Sequence, residues 1–246
     1  MRRAIGRVLR ADSHELALEV PGWPGHRPGQ FAMLQLDPEG RHRDPLLPRP
    51  MAIYRASGEE LEFRFKVVGR GTALMAELHV GAPVAVVGPL GNGFEPPVGQ
   101  AILVGGGTGV ASLFELARAA PPGTVVVLGG RTEAEILGLN DFRALPLELR
   151  VATEDGSAGH RGIVTELLEI RPEHEVLACG PLPMLRRIYE LADAVGARCW
   201  VSLESNMACG YGVCLGCVVR THQGYRYVCT HGPVFDAGTL DWEAAA

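Results

Sequence analysis

The sequence predicts a multi-domain β plus α/β chain, in which an antiparallel β-barrel precedes a parallel-sheet α/β domain and a small C-terminal domain. Three observations support this prediction. Short apolar runs broken by Gly and Pro continue to about residue 98, apolar strands then alternate with helical stretches, and a short tail holds four of the six cysteines. We therefore expect domains at residues 1–98, 99–195 and 196–246.

The barrel is predicted from runs of β-forming residues bounded by turn residues. Apolar and charged side chains alternate along 61–68, so one face of that strand is expected to be buried and the other polar. A short helix is expected at 72–79, with Thr72 as its N-cap. The predicted strands are 5–9, 15–20, 30–36, 51–55, 61–68 and 83–87.

The second domain is predicted from alternating strands and helices, which is typical of a parallel sheet. Strands are expected at 101–104, 125–128, 147–152 and 176–178, and helices at 110–119, 163–170 and 184–195. The tail from residue 196 is too short to bury a core unaided, so we expect it to fold around a metal centre.

Composition excludes several classes of protein. The 246 residues are 47% hydrophobic and 21% charged, which is sufficient for a buried core. Twenty-three basic against 28 acidic residues give a net charge of −5, so nucleic acid is not an expected partner. No apolar run approaches the roughly 18 residues of a membrane span, and we expect a cytoplasmic chain whose cysteines serve metal or redox chemistry.

The cysteine spacing is the most specific signal. Cys209, Cys214, Cys217 and Cys229 form a C-x4-C-x2-C-x11-C pattern, and thiolates at this spacing can hold a [2Fe-2S] cluster. Glycines at 210, 212 and 216 would let the loop wrap closely and direct N–H groups at the sulfurs. The alternative is a structural zinc site on the same four cysteines, with a histidine at 222 or 231 nearby, but the triplet inside a glycine-rich loop favours iron–sulfur.

Two turns at the carboxyl edge of the predicted sheet indicate a nucleotide site, because ligands of open α/β sheets bind there. Glycines between a strand and a helix let a phosphate approach the backbone, although an ordinary tight turn has the same composition. The first turn consists of Gly105, Gly106, Gly107, Thr108 and Gly109, and the second of Cys179, Gly180 and Pro181.

The barrel carries a second candidate site, in which a pyrophosphate could lie between an arginine on a strand and the start of the short helix. Surface arginines and a capped helix are the alternative explanation. The residues concerned are Arg49, Pro50, Met51 and Ala52 on one strand, Arg64, Phe65 and Lys66 on another, and Gly71 and Thr72 at the helix.

Barrel, nucleotide sheet and cysteine tail together resemble the ferredoxin-NADP reductase superfamily, whose barrel binds a flavin and whose sheet binds a nicotinamide dinucleotide. The segments 204–217 and 229–235 resemble the electron-transfer subunit of NAD-linked class 1B dihydroorotate dehydrogenase. This resemblance covers essentially the whole chain. It implies FAD, a [2Fe-2S] cluster and NAD as cofactors.

The resemblance also implies residue roles. Positions 49–52 match the family's Arg-Pro-x-Ser flavin strand, 64–66 match a second FAD-contacting segment, and 71–72 match the loop at the FAD pyrophosphate. Cys179, Gly180 and Pro181 would lie beside the nicotinamide, and 153–157 resembles a turn near the same site. Ala52 departs from the family, which usually offers a serine hydroxyl to the flavin, so we expect that hydrogen bond to be missing.

The function implied is electron transfer in pyrimidine biosynthesis. Dihydroorotate would be oxidised on the FMN of a separate catalytic subunit, and electrons would pass through the cluster and FAD to NAD, in a heterotetramer of two plus two subunits. No catalytic acid–base pair is required, since hydride transfer between stacked rings depends on positioning. Arg131 is a signal for NADP, because an arginine after the second strand can accept a 2′-phosphate, but a single arginine does not make a phosphate clamp and NAD stays the expectation.

Two alternatives remain open at this point. The first is the flavin subunit of an NADH-dependent ferredoxin-NADP reductase or a sulfide dehydrogenase, a family that places an aspartate where Cys209 stands. The second is a zinc-stabilised flavoprotein scaffold that is not an enzyme. Met207, Tyr211, Val213 and Leu215 would form an apolar docking surface for the catalytic subunit, or would pack inside the tail.

Overall fold

The first half of the chain forms a seven-stranded antiparallel sheet with the order β4-β3-β7-β1-β2-β6-β5. The computed structural model describes residues 1–40 and 46–244. The strands are β1 (Arg2–Ala11), β2 (Glu15–Glu19), β3 (Phe31–Gln35), β4 (Arg49–Ala52), β5 (Arg55–Ser57), β6 (Glu60–Arg64) and β7 (Pro83–Leu90).

The two ends of this sheet are consecutive in the chain, so the sheet curls into the predicted barrel. Only Ile53 and Tyr54 separate β4 from β5. The Ile53 N–H donates to Gln30 O at 3.1 Å and the Tyr54 N–H to Glu62 O at 2.9 Å, which ties this link to strands on both sides. One predicted strand at 51–55 is therefore two strands with a bend between them.

The short helix α1 (Arg70–Ala76) begins two residues before its predicted start, and Thr72 is not its N-cap. Gly69 occupies the cap position. The Thr72 hydroxyl lies inside the first turn, where it accepts from the Val68 and Gly69 N–H groups at 2.9 and 3.1 Å. The prediction of Thr72 as the N-cap was therefore wrong. Thr72 is the third residue of the helix, and from there its hydroxyl reaches back to the backbone N–H groups before the helix.

The second sheet has seven strands in the order β11-β10-β9-β8-β12-β13-β16, and all pairs except the last are parallel. This confirms the predicted α/β architecture. Two of its strands come from beyond residue 195, so the sheet extends into the predicted third domain. The strands are β8 (Ala101–Gly106), β9 (Val125–Gly130), β10 (Glu148–Thr153), β11 (His160–Arg161), β12 (Glu175–Cys179), β13 (Arg198–Ser202) and β16 (Val234–Asp236).

The helices of this part are shorter than predicted. The expected helix at 110–119 is a 3-10 turn, Gly107–Ser112, followed by α2 (Phe114–Ala119). The expected helix at 163–170 is wrong: that segment contains only a 3-10 turn, Val164–Leu167. Helix α3 (Leu139–Arg143) was not predicted, and α4 (Leu182–Asp193) confirms the last predicted helix with its ends shifted by two residues.

The cysteine-rich segment lies against both sheets rather than standing alone. It contains the hairpin β14 (Val218–Thr221) and β15 (Gly224–Tyr227) and the short helix α5 (Val228–His231). One apolar core joins Met33 and Leu90 of the barrel, Ile188 of α4, and two of the cysteines, Cys217 and Cys229. The segment therefore obtains much of its core from its neighbours. Across the described residues, every helix is too short or too polar to cross a membrane.

Candidate functional site: two connected clefts and a cysteine loop

A cavity of about 360 Å³, here called the barrel cleft, lies between the barrel, the second sheet and the cysteine-rich segment. It brings together most of the residues predicted for the flavin. It also takes Cys179 from the end of β12 and Met207 and Pro233 from the cysteine-rich segment. The predicted flavin residues that line it are Pro50, Met51, Ala52, Arg64, Phe65, Lys66 and Thr72.

Arg49 and Gly71 fit the predicted pyrophosphate position. The Arg49 Nε is buried and has no hydrogen-bond partner within residues 1–40 and 46–244. A Cβ built on Gly71 would collide with that same nitrogen, so glycine is what allows the helix start and the guanidinium to approach. A buried N–H donor without a partner, next to a cleft, is suited to bind an anionic oxygen such as that of a pyrophosphate. The residues present therefore fit a flavin dinucleotide.

Arg64 is already paired in the structure. Its guanidinium lies 2.9 Å from Glu15 Oε2, 2.6 Å from Glu62 Oε1 and 3.5 Å from Asp141 Oδ2. Three carboxylates neutralise this charge, so Arg64 lines the cleft with less charge to offer a ligand than its sequence position suggested. Its predicted contact with FAD stays a prediction.

Ala52 offers the barrel cleft a methyl group where a hydroxyl was the family expectation. Other hydroxyls line the same cavity from the second sheet, on Thr108, Ser112 and Ser202. The sequence analysis missed the two serines, because Ser112 lies inside a 3-10 turn and Ser202 ends a strand that was not predicted.

A larger cavity of about 770 Å³, here called the sheet cleft, lies at the carboxyl ends of β8, β9 and β10. Gly106, Gly107 and Thr108 of the glycine-rich turn line it, as does Pro181. Gly105 and Gly109 have a different role. A Cβ on Gly105 would lie 2.9 Å from a Leu128 methyl, and one on Gly109 would collide with the Cys179 carbonyl. A Cβ on Gly106 would also collide with Met184 Sδ, so three glycines of the turn serve packing, whereas the space around Gly107 is open.

The second turn is also mainly a packing turn. A Cβ on Gly180 would lie 2.5 Å from Met184 Cε, so this glycine admits the start of α4. Cys179 is 1% exposed, and burial, together with the Glu204 carboxylate, raises the pKa of its thiol to about 12. The thiol is therefore protonated at neutral pH. It can pack against a ligand ring, but it is not a nucleophile.

Three side chains line both clefts and so connect them. These are Lys66 from the barrel, Thr108 from the glycine-rich turn and Glu204 after β13. The Thr108 hydroxyl donates to Glu204 Oε1 at 3.0 Å. No ligand contact was predicted for Glu204. Its position could have indicated one, since a charged residue just after an apolar strand lies at the edge of a parallel sheet where ligands bind.

Arg131 is held by carboxylates. Its guanidinium lies 2.8 Å from Glu135 Oε1, and Lys66 Nζ lies 3.0 Å from Glu135 Oε2. Hydrogen bonds from Arg131 and Lys66 lower the pKa of Glu135, which therefore stays ionised. Glu154 lines the same cleft. Two carboxylates beside one paired arginine oppose a 2′-phosphate, so the arrangement favours NAD over NADP.

The four predicted metal-ligating thiols lie in two pairs. The Cys209 and Cys214 side chains contact each other, as do Cys217 and Cys229. The Cys214 N–H donates to Cys209 Sγ at 3.4 Å, and the Cys229 N–H to Cys217 Sγ at the same distance. Four thiols in two pairs match a binuclear centre, in which each iron takes two cysteines.

Backbone N–H groups surround one of these sulfurs. Burial raises the pKa of the Cys209 thiol, but hydrogen bonds from the N–H groups of Cys214, Tyr211 and Val213 lower it to about 6. Burial and the contact with Cys217 raise the pKa of Cys229 to about 12. A stabilised thiolate with several N–H donors is the environment expected of a cluster ligand.

The glycine predictions in the loop hold at two of three positions. Gly210 and Gly212 have φ of 80° and 88°, in the left-handed region that favours glycine. Gly216 is not in that region, and Leu215 takes a positive φ of 60° instead. A Cβ on Gly216 would meet only Cys214 Sγ, at 3.7 Å.

One of the histidines named in the zinc alternative is engaged elsewhere. His231 Nδ1 accepts from the Tyr227 N–H at 3.1 Å and is therefore engaged with the backbone.

The loop surface is apolar and exposed around Cys214. Tyr211, Val213 and Leu215 are 47%, 73% and 51% exposed. Met207 differs from the expectation, since it is partly buried against the shared core and lines the barrel cleft.

The antiparallel barrel, the mainly parallel sheet, the two connected clefts and the four-cysteine loop together define a chain of the ferredoxin-reductase type. A family model described as the iron–sulfur cluster binding domain of dihydroorotate dehydrogenase B matches residues 204–241. The dihydroorotate dehydrogenase B (NAD(+)) electron transfer subunit of Bacillus caldolyticus is 40% identical over an alignment of 255 residues, covering 98% of this chain and 97% of that protein. The chain belongs to this family of electron transfer subunits.

Other comparisons agree with this assignment. The corresponding subunit of Clostridium acetobutylicum is 36% identical over 221 residues, covering 89% of this chain and 87% of that protein. A solved structure of an NADH-dependent reduced ferredoxin-NADP oxidoreductase superposes with a TM-score of 0.83 at 28% identity, covering 100% of this chain and 91% of that one. The prediction of an oxidoreductase subunit with an iron–sulfur domain is confirmed, and the non-enzymatic zinc scaffold is wrong.

Proposed function

We propose that this chain takes electrons from a catalytic subunit that oxidises dihydroorotate on FMN, and passes them through a [2Fe-2S] cluster and FAD to NAD. The observation that carries this proposal is the connection of the three sites. The barrel cleft is lined by Met207 and Pro233 of the cysteine-rich segment, and it shares Lys66, Thr108 and Glu204 with the sheet cleft. A flavin can exchange electrons singly with a cluster and in pairs with a nicotinamide.

The chain's own residues would bind and orient the flavin in the barrel cleft. Arg49 and the α1 start at Gly71 and Thr72 would hold the pyrophosphate. Met51 and Phe65 supply apolar surface, with backbone groups from β4 and neutral hydroxyls from the sheet side. Since Ala52 has no hydroxyl, we propose that the flavin is oriented here without a side-chain hydrogen bond at that position.

NAD would lie in the sheet cleft, with its phosphates at the backbone of Gly106 and Gly107 and its nicotinamide toward Thr108 and Glu204. Cys179 would pack beside the rings as a neutral thiol. Hydride transfer needs close approach and exclusion of water rather than an acid or base. Turnover with NADPH in place of NADH tests the nucleotide assignment: the paired Arg131 predicts clearly faster turnover with NADH.

The cluster would be held by Cys209, Cys214, Cys217 and Cys229, with the exposed apolar rim of the loop against the catalytic subunit. Tyr211, Val213 and Leu215 form that rim, next to the exposed Cys214. Exposed apolar side chains around a redox centre are typical of an electron-transfer interface. A two-plus-two heterotetramer and a cytoplasmic location stay predictions.

Co-purification tests the partner. A tagged chain expressed in its own organism should bring down an FMN-containing subunit, and the complex should reduce NAD with dihydroorotate. Val213→Glu should weaken this association, because it places a charge on the rim, while Val98→Glu is the matched control at an exposed residue between β7 and β8. Capture of an iron–sulfur NADP enzyme, with no dihydroorotate oxidation, would favour the ferredoxin-NADP oxidoreductase that the structural neighbour represents.

A further inference from the structure

One barrel residue, Asn92, holds the chain segment that follows the fourth cysteine. Its amide Nδ2 donates to His231 O at 2.9 Å and to Val234 O at 3.0 Å. Its Oδ1 accepts from the Val234 N–H at 3.0 Å, and its own N–H donates to Gly232 O at 2.7 Å. Four hydrogen bonds from a single residue thus fix 231–234, and this contact is called the amide joint below.

The barrel side of the amide joint is itself anchored. Gln30 Nε2 donates to Gly91 O at 2.7 Å, immediately before Asn92. The Phe94 N–H donates to Pro28 O at 2.8 Å, and Phe94 is 1% exposed. The loop that carries Asn92 is therefore a rigid part of the barrel rather than a free turn.

The approach at this joint is close enough to require a glycine. Gly91 has a φ of 69°, and a Cβ built on it would lie 2.5 Å from Pro233 Cδ. Pro233 in turn lines the barrel cleft. The segment held by Asn92 thus touches the cleft at one end and leads directly back to Cys229 at the other.

Cys229 brings its paired cysteine with it. The Val228 N–H donates to Cys217 O at 2.9 Å, and the Cys229 N–H to Cys217 Sγ at 3.4 Å. Both side chains are 2% exposed. Whatever fixes 231–234 against the barrel therefore also fixes the buried half of the cysteine set.

We propose that Asn92 is a positioning residue that sets the separation between the cysteine-bound centre and the barrel cleft, and so controls electron passage between them. It touches neither site itself, and it acts through the segment from Cys229 to Pro233. The inference rests on the proposed function, because it needs a cluster at the cysteines and a flavin in the cleft. An amide suits this task, since it satisfies donors and acceptors together without a charge whose strength depends on pH.

Anaerobic stopped-flow reduction by NADH of the full-length subunit, with FAD and iron loaded, tests the proposal. Each NADH would supply two electrons and a proton, as hydride, to a flavin held in the barrel cleft, and a cluster held by the cysteines would accept one of those two electrons. Flavin bleaching and cluster reduction are followed at separate wavelengths. In Asn92→Ala, the first phase should keep its rate and the second should slow by about tenfold, because small misplacements carry large rate costs.

Two further variants complete the comparison. Asn92→Ser replaces the amide with a hydroxyl that can donate one hydrogen bond, and it should give an intermediate rate. Asn140→Ala removes an exposed amide from α3 and should leave both phases unchanged. Iron content and the electron paramagnetic resonance g-values of the reduced cluster should match the wild type in every variant, while amide hydrogen exchange of 230–236 should rise most in Asn92→Ala, less in Asn92→Ser and not in Asn140→Ala.

The possible outcomes distinguish a failure of the proposed function from a failure of the role proposed for Asn92. A wild-type protein in which NADH reduces the flavin but never a cluster would overturn the proposed function itself. A wild type that reduces both, with an unchanged second phase in Asn92→Ala, would overturn only the role of Asn92. Equal slowing of both phases, or failure of both Asn92 variants to load iron, would show a general folding role and would also contradict the proposal.

Discussion

The barrel is joined to its two neighbours by opposite kinds of chemistry. The amide joint holds the cysteine-rich segment through the neutral hydrogen bonds of Asn92. The contact with the second sheet is charged: Asp141 Oδ2 accepts from the Tyr54 hydroxyl at 2.7 Å and lies 3.2 Å from Arg55 and 3.5 Å from Arg64. This second contact is called the sheet joint.

The sheet joint is also packed as a core. Tyr54 is a barrel residue that is fully buried, and its ring stacks on Phe114 of α2 at a centroid distance of 4.6 Å. A Cβ on Gly138 would collide with the Tyr54 hydroxyl, so the α3 start closes over it. The difference teaches that the contact between the barrel and the second sheet depends on acidic and basic side chains, whereas the contact between the barrel and the cysteine-rich segment depends on an amide that carries no charge.

The largest expected effect separates the two electron steps. Cys217→Ser removes a buried thiol that we propose as a cluster ligand, and we expect loss of the binuclear iron signal, since four cysteine ligands hold such a cluster. NADH reduction of the flavin should continue, because the sheet joint is untouched. Cys199→Ala is the matched control, a buried cysteine on β13 outside the set. Iron analysis and anaerobic NADH titration provide the measurement, and loss of flavin reduction in Cys217→Ser would contradict the separation.

The second-largest effect is expected from a substitution that breaks the sheet joint. Asp141→Ala leaves Tyr54, Arg55 and Arg64 without their shared acceptor, and because the Asp141 side chain is 31% exposed, we expect a loss of about 2 kcal/mol in the free energy of unfolding. Denaturant unfolding measures it. Hydride transfer to the flavin should slow in the same variant.

Glu133→Ala is the control for that change, since it removes an exposed ion pair with Arg143 from the same domain. It should cost less than about 1 kcal/mol. Equal losses of unfolding free energy in Asp141→Ala and Glu133→Ala would mean that the sheet joint contributes no more than an exposed ion pair.

A smaller change tests the hydroxyl alone. Tyr54→Phe keeps the ring stack on Phe114 but removes the donor to Asp141, and we expect a loss of about 1 kcal/mol. Tyr225→Phe, on an exposed tyrosine of β15, should leave stability unchanged. A Tyr54→Phe protein as stable as wild type would show that the ring and not the hydroxyl carries the contact.

The smallest expected effect is a dependence of stability on pH, which the sheet joint should show and the amide joint should not. Burial raises the pKa of Glu62, which lies 3.6 Å from Arg55 and 2.6 Å from Arg64. A raised folded-state pKa means that the contribution of Glu62 to stability is fully present below the unfolded value of 4.5 and is lost as pH rises through the folded value. The stability advantage of wild type over Glu62→Gln should therefore shrink as pH rises from 4 to 7. A stability advantage of wild type that grows from pH 4 to 7 would contradict this prediction.

The two joints also mark the limit of prediction from sequence. The cysteine loop is local, so its spacing was enough to select the four cysteines that the structure places in contacting pairs, and the glycines at 210 and 212 followed from the same local geometry. The amide joint connects residue 92 to 231–234, and nothing near either segment signals the other. Long-range hydrogen bonds of this kind leave no periodic pattern in a sequence.

The glycine-rich turn shows a second limit. Composition predicted a ligand site at 105–109, and the sheet cleft does lie there, but Gly105 and Gly109 serve packing against Leu128 and Cys179. A glycine needed for close packing and one needed for a ligand look identical in sequence. The wrong helix at 163–170 has a similar origin. Its apolar residues pack on the face of the second sheet, and an apolar run of this kind resembles a helix face in the sequence.

Anaerobic titration with NADH, followed by visible absorption and electron paramagnetic resonance, tests the central claim most directly. The account predicts that the flavin band bleaches, and that a signal from a reduced binuclear iron centre grows as electrons pass on to the cysteines at 209, 214, 217 and 229. Full bleaching of the flavin with no such iron signal, in protein shown by analysis to contain two irons per chain, would contradict it.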